Sequence, residues 1–424
     1  MTAQPSARLR SGAAACALLL LAAIGLRRPE LVAVAAPLGL ALVAGGARLA
    51  APDLEGRATL EPLRAVEGDE VELEIELRSA SGIPALELHM PSPPGLQPVG
   101  TLPVRRLGLE AGRPQLLRQR YRCLRWGGYA LGAGGLVARD RFGLYSYLLP
   151  DAQPVPLRVY PRFERPLVRP VPRRPQLSVG GDVARIKGEG IEYADVREYA
   201  AGDRVRRVNW RLTARRGRPY VNEHHPERNA DVVLFVDSFG DDGGWALAPL
   251  DQAVRAASAL ADMYLRRRDR VGVIGFGGVL RWVLPGAGAV QTYRILDSLI
   301  DTRIVASAAW RGVEVIPVRT LPAGALVLAL SPLVDERTLA ALTNLRARGF
   351  DLAVVEISAE PFLPPARTPS EQLARRLWRL HRGHLRSGLA ELGVQVVEWR
   401  ADERLDTALV GLREARRWAR FEHR

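Results

Sequence analysis

The chain has 424 residues, 47% of them apolar, with 60 Lys+Arg against 46 Asp+Glu for a net charge of +14. That balance excludes a disordered or collagen-like chain, and two cysteines, Cys16 and Cys123, exclude a disulfide framework and point to a reducing compartment. Lys187 is the sole lysine, so the positive charge is arginine, a bias that a GC-rich genome also produces.

Two uncharged apolar runs open the chain, Ser11–Leu26 and Leu31–Ala47, separated by Arg27, Arg28, Pro29 and Glu30. Each is shorter than the roughly 20 residues of an average spanning helix. Flanking arginines and local thinning accommodate short spans. A second apolar run so soon after the first fits a transmembrane helical hairpin over 1–52 better than a cleaved signal peptide. Nothing further along resembles a polytopic transporter. Arg8 and Arg10 before the hairpin, with Arg48, Arg57 and Arg64 after it, favour a cytoplasmic soluble part, while Arg27 and Arg28 oppose it.

Residues 53–161 read as a small β-sandwich of about seven strands. Val71, Leu73, Ile75 and Leu77 alternate with Glu72, Glu74 and Glu76, the pattern of a half-buried strand. Tyr160–Gln176, rich in Pro and Arg, reads as a linker or extended crossing segment. From Asp231 to the C-terminus, strands and helices alternate. Predicted strands are Val232–Val236, Val271–Phe276, Ala325–Leu330, Leu352–Ile357 and Val394–Trp399. Predicted helices are Pro249–Arg268, Gln291–Ile300, Glu336–Arg348, Glu371–Leu392 and Leu405–Arg420. The pattern implies an α/β domain with a doubly wound parallel sheet over 231–424.

Residues 162–230 form an Arg-rich linker and signature segment. Between Arg162 and Arg228 sixteen basic and nine acidic residues interleave. Gly188-Glu189-Gly190-Ile191-Glu192-Tyr193 leads through Arg197-Glu198-Tyr199, Gly202-Asp203-Arg204, Arg207 and Val208-Asn209-Trp210 to Ala214-Arg215-Arg216-Gly217. This ordered series resembles the signature of a bacterial family, domain of unknown function 58. Its pattern G-x-G-x-E-F/Y, R-E-Y, G-D, R-x-I-D-W and A-R-x-G precedes a von Willebrand factor A-like domain. Asp140-Arg141-Phe142-Gly143-Leu144 adds to the resemblance. Asn209 departs from it, since an acid is usual there. The resemblance implies a non-enzymatic scaffold associated with MoxR-type AAA+ ATPases in a chaperone-like or assembly role.

Three readings compete for the signature. Guanidinium forks pair bidentately with carboxylates. Arg197, Arg204, Arg207 and Arg215 are therefore expected to pair with Glu192, Glu198 and Asp203 and to clamp the segment and Trp210 onto the α/β domain. Alternatively, the arginines receive an acidic protein or a phosphate. Interleaved acids and the lack of an aromatic stacking series disfavour nucleic acid.

In von Willebrand factor A-like domains an Asp-x-Ser-x-Ser loop after the first strand holds a divalent ion, usually magnesium, on hard oxygens. Here the loop reads Asp237-Ser238-Phe239-Gly240-Asp241-Asp242. The metal candidates are Asp237, Ser238 or Asp241 in place of the serines, and Asp335 as the distal acid. Phe239 cannot coordinate. A divalent-metal-dependent adhesion module is therefore the alternative function. Gly188-x-Gly190 with Lys187 lacks a Walker pattern. His381 and His384 share a helical face without further ligands. Ser238 has no visible His/Asp partners, and Cys123 reads as packing. An enzyme acting on cell-wall or phosphoester substrates is the remote third reading.

Overall fold

The computed structural model describes residues 3–46, 53–90, 92–100, 104–132, 135–139, 143–149, 153–171, 193–201, 203, 205, 208–224, 231–239, 247–302, 321–322 and 324–421. The chain divides into two compact units, Met1–Arg162 and Phe163–Arg424.

The first unit begins with a short strand, β1 (Ala3–Pro5), and two helices, α1 (Ala7–Gly25) and α2 (Glu30–Gly46). Ser6 caps α1 by accepting from the Leu9 N–H at 3.2 Å, and its own hydroxyl donates to the Gly143 carbonyl. The helices lie side by side, with Gly12 facing Leu42 and Gly39 facing Cys16. Leu18, Leu21, Ile24, Leu40 and Val43 point outward. Among the described residues, α1 alone is long and apolar enough to cross a membrane. The 17-residue α2, interrupted by Pro37, falls short, so the two-span reading of the sequence is reduced to one qualifying helix and a shorter companion.

The rest of this unit is β2 (Glu55–Glu61), β3 (Arg64–Val66), β4 (Glu70–Arg78), β5 (Ile83–His89), β6 (Leu96–Val99), β7 (Val104–Leu109), β8 (Gln115–Cys123), β9 (Gly127–Leu131), β10 (Leu136–Arg139), β11 (Tyr145–Leu149) and β12 (Val155–Tyr160). They form sheets in the orders β1-β11-β10-β5-β7, β2-β4-β8-β6 and β3-β12-β9 around one apolar core. The predicted alternation of β4 is present: Val71, Leu73, Ile75 and Leu77 are buried. On the outer face Glu74 pairs with Arg118 and Glu70 with Arg122 across β4 and β8. Exposed pairs of this kind contribute little individually, but they absorb arginines. Cys123 is buried in the core, and burial pushes its thiol up to about 11.

The second unit contains β13 (Tyr193–Glu198), α3 (Trp210–Arg216) and β14 (Tyr220–His224), followed by β15 (Asp231–Asp237), α4 (Leu247–Arg266), β16 (Arg270–Phe276), β17 (Arg281–Gly286), α5 (Ala289–Ile300), β18 (Leu326–Ser331), α6 (Glu336–Ala347), β19 (Asp351–Ile357), α7 (Pro369–Glu391), β20 (Gln395–Trp399) and α8 (Leu405–Phe421). Among the described residues six strands make one sheet, in the order β17-β16-β15-β18-β19-β20. All neighbours are parallel except β17, an antiparallel edge strand that the sequence pattern does not announce.

Continuous apolar runs in β15 and β18 are buried on both faces, as a helix-covered parallel sheet requires. Leu250, Val254, Ala257, Leu260 and Tyr264 of α4 are all buried, matching the predicted helical face. Residues 163–171 run extended over the unit. Asp406 accepts from the Leu167 and Val168 N–H groups, Arg169 pairs with Asp269 at 2.7 Å, and the Tyr264 hydroxyl donates to the Pro170 carbonyl at 2.6 Å.

The chain passes from β15 outward through β16 and β17, then returns to place β18 on the other side of β15. The carboxyl ends of β15 and β18 therefore flank the switch point, where doubly wound sheets form their crevice.

Candidate functional site at the switch point

Asp237 ends β15 and Ser331 ends β18, both buried. The Ser331 hydroxyl donates to Asp237 Oδ2 at 2.6 Å, and the Phe239 N–H donates to Oδ1 at 3.0 Å. Thr338, fully buried in the first turn of α6, is close enough to lower the Asp237 carboxyl yet makes no hydrogen bond of ordinary geometry. Burial outweighs these helpers and pushes Asp237 up to about 6, and the nearby Asp335 adds to the rise.

Ser331 Oγ also accepts from the Leu333 N–H at 2.8 Å. Leu333 holds a left-handed backbone, φ 50°, which a branched side chain adopts only under restraint. The restraint from the other side is Arg382 of α7, whose guanidinium donates to the carbonyls of Pro332 and Leu333 and to Glu356 of β19. Arg382 and Glu356 are both almost fully buried. Arg386, one helical turn on, lies 3.5 Å from Glu356 Oε2 and 2.6 Å from Glu398 on β20. Burial raises the Glu356 carboxyl despite these arginines; burial also acts on Glu398, but there the Arg386 and Ser358 contacts win and lower it. A polar chain thus runs along the carboxyl ends of β15, β18, β19 and β20, from Asp237 to Glu398. Sequence reasoning reached Asp237. It missed Ser331, Arg382 and Glu356, whose signal is a polar or charged residue in an otherwise apolar strand or on a helix's inner face.

The metal candidates are arranged differently. The Ser238 hydroxyl donates to the Phe276 carbonyl at 3.2 Å, and a Cβ at Gly277 would overlap it. Phe239 is buried, edge-on to Phe276, with the Arg337 guanidinium 3.9 Å above its ring. Asp335 caps α6 and binds Arg337 through both oxygens, at 2.9 and 2.7 Å. Burial pushes Asp335 up, but the Arg337 contacts together hold it below the usual carboxylate range. Asp241 lies outside the described residues. Among the described residues no three His, Cys, Asp or Glu side chains converge. Among the described residues Asp237, Ser331 and Thr338 bring oxygen atoms together here, while Asp335 holds the Arg337 guanidinium.

The signature segment forms an element of its own. β13 and β14 pair as a separate two-stranded sheet, with α3 between them. Arg197 grips Asp203 bidentately at 2.6 and 2.7 Å, and Asp203 also accepts from the Ala200 N–H. The Tyr199 hydroxyl donates to the Asp203 carbonyl. Asn209 caps α3 through the Leu212 N–H and donates to Asn222. An acid at this position would cap equally well. Among the described residues Glu198 meets the Tyr220 hydroxyl and Arg218. Arg215 is exposed and has no ion pair among the described residues. Tyr193 starts β13. Gly190, Glu192, Gly202, Arg204 and Arg207 lie outside the described residues.

Trp210 is where the structure differs most from expectation: it is not clamped but 66% exposed. The seven-residue α3 has no buried residue, so it has no inner face on which to bury an indole. Val205, five residues earlier, is also exposed, and Arg211 and Arg215 lie on α3 with the indole.

Residues 195–354 match the model of the family described as protein of unknown function DUF58. Uncharacterized protein Rv1480 of Mycobacterium tuberculosis is 30% identical over 135 residues, 31% of this chain and 43% of that protein. Uncharacterized protein YeaD of Bacillus subtilis is 25% identical over 121 residues, 28% of this chain and 29% of that protein. The chain thus matches less than half the length of these curated relatives. A solved CARDB domain from Pyrococcus furiosus aligns with 26% of this chain and 93% of its own, at 15% identity and a TM-score of 0.19, too low to carry an argument.

An unfolded aspartate titrates at its ordinary 3.8, whereas Asp237 in the fold titrates near 6. The folded state holds the extra proton between these values, so stability is gained as pH falls through that window and lost as it rises. Asp237→Asn should therefore melt above the wild type at pH 7.5, by about 1–3 kcal/mol, with the difference shrinking below about pH 5. Calorimetry across pH checks this; a variant less stable than wild type at pH 7.5 contradicts it.

Proposed function

We propose that the chain is a membrane-anchored, non-enzymatic scaffold that docks a protein partner through the β13–α3–β14 element. The observation that carries this reading is the exposed Trp210, presented with Arg211 and Arg215 on an element braced from behind by Arg197–Asp203 and the Asn209 cap. Tryptophan and arginine are the residue types most enriched at binding hot spots. An indole left in water on a braced element has no packing role within the fold.

The anchor in this reading is α1, with α2 as the return arm of a hairpin, and the flanking arginines favour the cytoplasmic face for both soluble units. We read the α/β unit as von Willebrand factor A-like, which its doubly wound strand order and the acid at the switch point support. The resemblance of the signature makes a MoxR-type AAA+ ATPase the partner to test, in a chaperone-like or assembly role.

Immobilised full-length chain should retain such an ATPase, and Trp210→Ala with Arg211→Glu should weaken retention at least about ten-fold with an unchanged melting temperature. Equal retention by the variant would overturn the reading.

The adhesion-type alternative, with magnesium on Asp237, has one observation in its favour, the buried Thr338 hydroxyl beside that carboxylate. The Arg337–Asp335 pair weighs against it. Magnesium is expected to leave the wild-type melting temperature unchanged; a rise present in wild type and lost in Asp237→Ala would reinstate the alternative.

A further inference from the structure

Helix α7 is held to the fold along one side. A capping box of Thr368 and Glu371 starts it, Arg375 donates to the Pro364 carbonyl, and Arg379 pairs with Glu360. Arg382 and Arg386 enter the buried network. Of its 23 residues, Arg382 and Leu389 are buried.

The opposite side is apolar. Leu373, Leu377 and Leu380 are 58%, 58% and 65% exposed. Their spacing of four and then three residues continues to His384, which is also exposed. This 4-3-4 spacing is the seam of a helix pair, with leucines at successive core positions. The fold pins the arginines on the inner side and leaves the leucines in water, the reverse of what burial within one chain favours.

Gly383 and Gly388 flank the seam. A Cβ added at either would meet nothing within 4 Å. Glycine inside a helix costs stability, and here no neighbour in the chain requires the missing side chain. Small residues beside a leucine seam admit a close-packed helix. A bilayer surface has no use for them and instead favours a dense row of cations. Along this side lie Arg376, exposed and without an ion pair among the described residues, and the exposed His381 and His384; Glu391 is the one acid, at the far end.

We propose that the outer side of α7 is a docking surface for an amphipathic helix of a partner protein, one with an apolar heptad seam flanked by carboxylates. Charge complementarity to Arg376 selects the flanks, and the open glycine positions select a helix. The surface is separate from Trp210, and the inference stands without the docking role proposed there.

The test uses the full chain in nanodiscs of zwitterionic lipid. The probe is a fluorescein-labelled three-heptad peptide with leucine at its core positions and glutamate beside them; a scrambled peptide of the same composition is the control. Saturable binding of the ordered peptide alone is expected. Leu377→Glu with Leu380→Glu should weaken it more than ten-fold without changing the melting temperature. Gly383→Ala with Gly388→Ala should weaken binding while raising the melting temperature by about 4 °C. Trp210→Ala should leave binding unchanged, so failure here and failure of the Trp210 reading are distinguishable. Equal binding of both peptides, or binding indifferent to the leucine and glycine changes, would overturn the proposal. So would leucine variants that lose only association with phosphatidylglycerol vesicles, which would mark α7 as a membrane-surface helix.

Discussion

A guanidinium taken out of water has to be met on every side, and the carboxyl end of the α/β sheet is organised around that requirement. Arg382 meets Glu356 and the Pro332 and Leu333 carbonyls. An arrangement of this kind adds little net stability, because desolvation offsets the attraction, but losing one partner strands the other charge at a cost of about 3–5 kcal/mol. Its effect is on position. Arg382 can be satisfied at one place only, which fixes where α7 lies over β19 and how the turn after β18 is shaped.

That turn is also held from the opposite direction. Leu333 adopts its left-handed backbone while Ser331 receives its N–H, and Ser331 in turn gives its proton to Asp237. The loop after β15 and the helix before β20 are therefore connected through three consecutive residues, Ser331, Pro332 and Leu333. Both carboxylates, Asp237 and Glu356, are pushed upward by burial. The proposed docking helix is thus oriented by the same contacts that close the crevice at the switch point.

Much of the architecture was legible in the sequence because it rests on short-range periodicity. The Val71–Leu77 alternation and the inner face of α4 follow from a single element meeting a single core. Asp237 was legible too, as an acid at the end of an apolar strand. The Asp237–Glu398 network was not, because its members are up to 161 residues apart in the chain and only the fold brings them together. Asp335 looked available as a metal ligand from spacing alone; its partner Arg337, two residues on, is what changes its chemistry. Trp210 was expected under the clamp of the arginine–carboxylate pairs, yet α3 has no buried residue and leaves the indole exposed. The net charge of +14 also changes meaning: many arginines are committed to carboxylates and carbonyls, among them Arg197, Arg337, Arg382 and Arg416.

Asp237 and Arg382, which do not touch, act as one unit through the Leu333 turn. A double-mutant cycle on unfolding free energy, with Ser331→Ala and Arg382→Met in the full chain, tests it directly. The account predicts a coupling energy of about 1 kcal/mol or more, because each change releases the turn that the other restrains. Additivity within about 0.5 kcal/mol would show two independent contacts and contradict it.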